Sequence, residues 1–324
     1  MRPPEPDFAT RIAAALAQLP GWEAGTAQIA LAAAPVASPT HRAVASDCAR
    51  VRRDGADPVF VKRRHADMAA DLRPAMAEAT RRAGALGLGP ALLAGGGAEG
   101  DGVVVLADLP EPWRYARVGD LQDADTMAQV LGALRRLHGA EPLGQTFCPF
   151  ERIAALAAEA RACAAPVPDD FAVLLAEAEL IRAAIAAAGF DRRFSRNDGT
   201  ASNLMLRFEG SGLAPDGVRL VDFDLAGDFD PWFEVGALLN EATAFDPERR
   251  QAIEIYAGRC TEALLARCRL YGAVDDLMWG LWGITRAVTV RRPGIEFFKY
   301  GQWRLLHART TLAARDFELW LRQL

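Results

Sequence analysis

The sequence predicts an α+β protein of two lobes, a small β-rich N-terminal lobe over residues 1–108 and a large helical C-terminal lobe over 109–324. Three observations predict it. Before residue 108 apolar residues fall in short runs broken by Gly, Pro and Asp, as strands and tight turns require. After Asp108-Leu109-Pro110-Glu111-Pro112, alanine-rich segments carry apolar residues at helical spacing. A single β pattern, from Phe194 to Asp224, interrupts those helices.

Taken in order, residues 8–19 have helical spacing and stop near Pro20-Gly21. Short β-like runs follow: Gln28 to Pro35, His41 to Val51, and Val59-Phe60-Val61-Lys62 after the turn Asp54-Gly55. Pro74 suits the first turn of a helix reaching Gly84, since proline lacks only a donor that the first turn leaves unused. Ala91 to Leu93 and Val103 to Leu106 form a further strand pair across a glycine-rich turn. In the second lobe, 124–138, 151–164 and 169–188 read as amphipathic helices. Leu204-Met205-Leu206-Arg207-Phe208 and Val218-Arg219-Leu220-Val221-Asp222 read as two strands of a hairpin, and Trp- and Leu-rich helices fill the remainder.

A formal charge of −5 gives no electrostatic reason to expect nucleic acid or an anionic membrane as partner. The five cysteines, Cys48, Cys148, Cys163, Cys260 and Cys268, lack zinc-site or redox spacing and read as small hydrophobes in a reducing compartment. No signal peptide or membrane-length apolar run is visible, so a cytoplasmic protein is expected.

The chemistry concentrates in Ser195-Arg196-Asn197-Asp198-Gly199-Thr200-Ala201-Ser202-Asn203, a polar loop leading directly into an apolar strand. Phosphoryl transfer needs a carboxylate to orient the attacking hydroxyl and oxygen donors for Mg²⁺ beside the phosphates. Asp198 and Asn203 can supply both, although their spacing alone also fits a solvated loop. Asp222-Phe223-Asp224 adds weight, because a carboxylate at the end of a buried strand is costly unless paired or bound to a cation. Both acidic groups can face one mouth of the hairpin, which suits a metal bridging nucleotide phosphates.

With those residues in place, the loop resembles the His-Asn-Asp-x4-Asn catalytic loop of choline/ethanolamine kinases and aminoglycoside phosphotransferases. Asp222-Phe223-Asp224 resembles the Asp-Phe-Glu metal-binding segment of choline kinases. Phe233 to Glu241, Trp279-Gly280-Leu281-Trp282, Gly294 to Tyr300 and Gly87-Leu88-Gly89-Pro90 are similar to further segments of that family. The resemblance implies a protein-kinase-like fold and phosphoryl transfer from Mg·ATP to a small hydroxylated acceptor, with a choline- or ethanolamine-like amino alcohol favoured. An aminoglycoside or sugar kinase is the alternative acceptor class. A catalytically degenerate binding or regulatory protein is the alternative from outside catalysis.

Carried onto this chain, the resemblance implies Asp198 as the base or hydroxyl-orienting group. It implies Asn203 and Asp222 as Mg²⁺ ligands, with Asp224 as helper, and Lys62 as the holder of the ATP phosphates. Lys62 also reads as a surface lysine beside Arg63 and Arg64. Glu78, the one acid inside its helix, is the candidate partner of Lys62, although it lies about two residues, or roughly 200° of helical turn, from the position the family implies. Glu241, Trp279, Trp282 and Tyr300 would enclose an acceptor cation by charge and cation–π attraction; the two tryptophans fit core packing equally well.

Three departures stand out. Arg196 replaces the family histidine and could pair with Asp198, meet a phosphate, or mark altered activity. The stretch from Val36 to Arg42 lacks the glycines of a phosphate loop, and Leu225 stands where choline kinases commonly carry Tyr.

Overall fold

The computed structural model describes residues 7–19, 27–33, 35–38, 41–71, 73–96, 102–292 and 294–324. Helix α1 (Phe8–Leu16) precedes strands β1 (Ala27–Leu31), β2 (Val36–Ser38), β3 (His41–Ala43), β4 (Ser46–Arg53) and β5 (Val59–Arg64). Helix α2 (Met76–Ala85) and strands β6 (Leu92–Gly95) and β7 (Val103–Ala107) complete the strand-rich lobe. The antiparallel sheet has the order β1-β4-β5-β7-β6, with Lys62 of β5 opposite Cys48 of β4 and Val104 of β7.

Alternation along these strands decides which residues reach the cleft. Ala49, Val51, Val59, Val61, Val103 and Val105 pack with Ile12 and Leu16 of α1. The intervening Cys48, Arg50, Phe60, Lys62 and Leu106 therefore line the opposite face, toward the second lobe. The stretch from His41 to Val51, expected as one strand, is two. His41–Ala43 pairs only with β2 in a separate two-stranded sheet, because Val44 turns inward to the core of the helical lobe.

The helical lobe begins with β8 (Trp113–Tyr115) and α3 (Ala124–His138), α4 (Pro149–Ala162) and α5 (Phe171–Ala188). Strands β9 (Arg193–Ser195), β10 (Leu204–Glu209), β11 (Gly212–Leu220) and β12 (Gly227–Phe229) follow. The chain closes with α6 (Pro231–Ala242), α7 (Asp246–Ala257), α8 (Glu262–Thr289), α9 (Phe297–Leu312) and α10 (Phe317–Gln323). The expected hairpin is β10–β11, extended by β8 into a three-stranded sheet. Its second strand ends at Leu220, two residues earlier than expected, and Asp222 lies beyond it at φ +63°.

Helix α8, 28 residues long and buried over most of its length, is the axis of the larger core. It crosses α9 where glycines face each other, so closely that a Cβ on Gly283 would sit 2.7 Å from the Gly301 Cα. That approach sets the rings of Trp282 and Tyr300 edge to face at 6.0 Å, while those of Trp279 and Trp282, three residues apart on α8, stand edge to face at 5.3 Å.

Candidate active site

A cleft of about 580 Å³ runs between the lobes. Phe60, Leu106, Trp113, Tyr115 and Met205 form apolar walls, while Lys62, Asn203 and Asp222 stand at its inner end. The Lys62 ammonium donates to Asp222 Oδ1 at 2.6 Å and Asp224 Oδ2 at 2.8 Å. Arg64, on the same strand, also pairs with Asp224. Desolvation would raise the Asp222 carboxyl pKa, but the cations of Lys62, Arg64 and Arg42 hold it below the ordinary carboxylate range. Its positive φ is a conformation that a β-carbon disfavours.

The loop from Ser195 to Asn203 is pinned from beneath. Arg196 and Glu234 of α6 are both fully buried and form an ion pair, Nε to Oε1 at 3.0 Å. Arg196 Nη1 also donates to the carbonyls of Asn203 at 2.6 Å and Val221 at 3.1 Å, tying both halves of the site to one guanidinium. Glu234 Oε2 accepts from the Arg196 backbone N–H at 2.9 Å and lies 3.2 Å from His138 Nε2. Burial alone would raise the Glu234 pKa, but Arg196 and His138 hold it down at about 2. Asn197, at φ +62°, donates its side-chain amide to the carbonyls of Ser195, Leu225 and Gly227. Gly199 then passes so close to α6 that a Cβ there would lie 2.5 Å from the Glu234 carbonyl oxygen. The result presents Asp198 at the surface of a rigid turn, with Oδ2 accepting from Asn203 Nδ2 at 3.0 Å.

The other oxygen of Asp198, Oδ1, is bound by the guanidinium of Arg42 from β3. This side chain, only 8% exposed, lies over the Trp279 ring at 3.5 Å and donates to the Tyr300 hydroxyl at 3.0 Å. Acidic groups surround it. Asp275, one helical turn before Trp279, pairs with Arg304, which also lies 2.9 Å from Asp276. Burial pushes the Asp275 pKa up to about 6 and that of Glu241 up to about 7, with Arg304 opposing both. Glu241 Oε1 accepts from the Ala201 backbone N–H at 3.2 Å, directly behind the same loop.

Lys62, Asn203 and Asp222 thus line the interlobe cleft, Asp198, Asp222, Asp224 and Trp279 line a smaller adjoining pocket, and Arg42 joins Asp198 to Trp279 and Tyr300. The Trp282 indole donates to Asp71 at 2.9 Å, and Asp71 also binds Arg152 and Arg286. Two expectations are corrected. Arg196 turns away from Asp198 toward Glu234, because α6 offers a buried carboxylate in the direction its side chain points. Glu78 pairs with Arg81 and Arg82 of its own helix at 2.5 and 2.6 Å, because Met76, Ala79, Thr80 and Ala83 occupy the inward face. Four residues that the sequence did not single out are central: Arg42, Glu234, Asp275 and Arg304. Their partners lie far along the chain, apart from the i, i+4 relation of Asp275 to Trp279. Of the glycine-poor stretch from Val36 to Arg42, Pro39 and Thr40 fall outside the described residues.

Asn203 and the two aspartates fit a hard cation by their donor chemistry. Asp222 and Asp224 already converge on one ammonium, and Asn203 turns its amide N–H₂ to Asp198, leaving its carbonyl oxygen for a cation. Among the described residues no group of three or more His, Cys, Asp or Glu side chains forms a metal cage. Mg²⁺ asks for less, one or two carboxylates with phosphate and water oxygens completing its shell.

The phosphotransferase enzyme family profile matches residues 40–271, and the chain belongs to that family. It is a member of a phosphotransferase family, with a protein-kinase-like fold. The chain is similar to a choline/ethanolamine kinase family protein from Mesorhizobium loti: TM-score 0.77, 19% identity, 98% of this chain and 99% of that one covered. It is also similar to the choline kinase LicA from Streptococcus pneumoniae: TM-score 0.68, 18% identity, 82% and 89% covered. An aminoglycoside phosphotransferase solved with GDP and kanamycin shares the fold at TM-score 0.59 and 12% identity, over 87% and 93% of the two chains. No curated protein matches the chain. Among the described residues no helix is long and apolar enough to cross a membrane.

Proposed function

We propose that this protein transfers the γ-phosphoryl group of Mg·ATP to the hydroxyl of a small amino alcohol of the choline or ethanolamine kind. The observation that carries this reading is the convergence of Asp198, Asn203, Asp222 and Lys62 where the interlobe cleft meets the smaller adjoining pocket. A cleft of about 580 Å³ with aromatic and aliphatic walls is of the size and character that binds a nucleotide base and sugar. Lys62, held on a central strand, neutralises phosphate charge as the nucleotide enters. Asn203, Asp222 and Asp224 would hold Mg²⁺, which supplies charge neutralisation across the phosphates when bound. Asp198, an acceptor-only group on a rigid turn, orients the acceptor hydroxyl and takes its proton.

The amino alcohol is favoured over a sugar by the acidic and aromatic character of the acceptor end. Asp198, Asp275, Asp276 and Glu241 are partnered there by few cations, and the Trp279 face receives a guanidinium. The test is transfer from labelled ATP in the presence of Mg²⁺ to choline, ethanolamine, kanamycin and a set of sugars. Label is expected in choline or ethanolamine. Transfer to kanamycin or a sugar alone would overturn the acceptor assignment, and no transfer to any acceptor would overturn the catalytic reading.

A further inference from the structure

We propose that Arg42 determines acceptor specificity: its guanidinium occupies the subsite for the acceptor's cationic group, so that acceptor binding exchanges one cation for another. The inference rests on the proposed kinase reading and deepens it.

Both oxygens of Asp198 are engaged, Oδ2 by Asn203 and Oδ1 by Arg42. Each oxygen keeps a second lone pair, but the Arg42 guanidinium fills the space between Oδ1 and the Trp279 ring, so an acceptor seated on that ring with its hydroxyl toward Asp198 takes the place of Arg42. The departure of Arg42 has an electrostatic consequence. It leaves Asp198 without its cation and Asp275, Asp276 and Glu241 around Arg304, while Arg64 and Arg152, which line the same pocket, are engaged by Asp224 and Asp71. Buried charge without a partner is costly, so the vacated space favours a new cation. A neutral polyol would leave that deficit; an amino alcohol brings its own positive charge together with the reacting hydroxyl. The contacts that hold Arg42 are also those that a substituted ammonium would use: the Trp279 face at 3.5 Å, the Tyr300 oxygen and the carboxylate of Asp198.

The backbone carrying Arg42 permits the exchange. Strand β3 belongs to a two-stranded sheet of its own, three residues to a strand, with no ladder to the five-stranded sheet. Among the described residues, withdrawal of Arg42 breaks no rung of the five-stranded sheet. An acceptor too weakly cationic to compete is excluded before chemistry, which makes Arg42 a filter as well as an occupant.

The test compares wild type with Arg42→Ala and Arg42→Lys, in the absence of nucleotide. Binding of choline and of its uncharged carbon isostere, 3,3-dimethylbutan-1-ol, is followed by tryptophan fluorescence and calorimetry. Choline is expected to bind Arg42→Ala about tenfold more tightly, the factor by which a subsite open a tenth of the time weakens binding. The isostere should gain nothing, and methylguanidinium should compete with choline for the alanine variant. Arg42→Lys, which keeps charge but loses the planar fork, should fall between. Equal or weaker choline binding in both variants, with their melting transitions intact, overturns the proposal, as does an equal gain for the isostere. The kinase reading is judged separately, by Mg·ATP binding and ATP turnover in wild type. The two ideas therefore fail by different measurements.

Discussion

At the end of the cleft proposed to bind phosphate, Lys62 and Arg64 reach across from the strand-rich lobe to Asp222 and Asp224; at the end proposed to bind the acceptor, Arg42 reaches across to Asp198. Each is a short contact between an N-terminal cation and a C-terminal carboxylate. The backbones that carry them differ. Lys62 lies within β5, hydrogen-bonded on one edge to β4 and on the other to β7, so its position is fixed by the whole sheet. Arg42 lies on a three-residue strand that, among the described residues, pairs with one other strand. Similar Coulombic contacts can therefore serve opposite ends: a permanent cation where phosphate charge must be met, and a replaceable one where substrate must enter. What separates them is the cost of moving the main chain, not the strength of the ion pair.

The largest effect that bears on this comparison should come from Asp198→Asn. It removes the acceptor-only carboxylate that both Arg42 and the acceptor hydroxyl need, and turnover should fall about 10³-fold, within the range for a lost general base. Thermal stabilisation by Mg·ATP should be retained, because Lys62, Asp222 and Asp224 are untouched. Loss of nucleotide stabilisation as well would show that the two ends are one electrostatic unit. Arg196→Met comes next, in stability. It strands the buried Glu234 carboxylate and frees the carbonyls of Asn203 and Val221, at a cost of about 3–5 kcal/mol. Urea unfolding at pH 7 measures this; a loss below about 1 kcal/mol would mean that His138 suffices as partner for Glu234. A smaller effect is expected from Lys62→Met. Steady-state kinetics should show kcat/KM for ATP reduced about 10²-fold, while choline binding without nucleotide is unchanged. A parallel loss of choline binding would break the division between fixed and replaceable cations.

How much of this was legible follows chain distance and backbone regularity. The two-lobed order could be read because the hydrophobic period changes from strand-like to helical on either side of residues 108–112. Asp198, Asn203 and Asp222 could be read because they belong to one loop and one hairpin, where local spacing fixes geometry. Lys62 was within reach of period-two alternation once Val59 and Val61 were taken as buried. Arg42 was not, since its partners lie 156 and 258 residues away and no local pattern distinguishes it from a solvated arginine. Asp71 and Trp282, 211 residues apart, are hidden for the same reason. Arg196 was noticed as a departure, but its role depends on Glu234, which helical periodicity marks only as one more residue of α6. Glu78 failed on angle: the apolar face of α2 leaves its carboxylate 38% exposed beside two arginines of the same helix.

The subtlest expected effect is the pH dependence introduced by Glu241→Gln. Burial raises the Glu241 carboxyl from its ordinary 4.5 to about 7, against the opposing fields of Arg304 and Arg42. Between those values the native protein retains a proton that the unfolded chain has released. Stability contributed by this group therefore falls as pH rises from about 4.5 to 7 and levels off above, where both states are ionised. Glutamine keeps the oxygen that accepts from the Ala201 N–H and carries no charge, so the variant lacks the penalty. Melting curves should show no difference at pH 4, a variant more stable by roughly 3 kcal/mol at pH 8, and a smooth rise between. Asp275 titrates in the same window, but it is common to both proteins and cancels in the difference. A difference that stays flat across this range would mean that Arg42 and Arg304 already compensate the Glu241 carboxylate. The acceptor end would then be as well balanced as the phosphate end, and the electrostatic demand for an incoming cation would disappear.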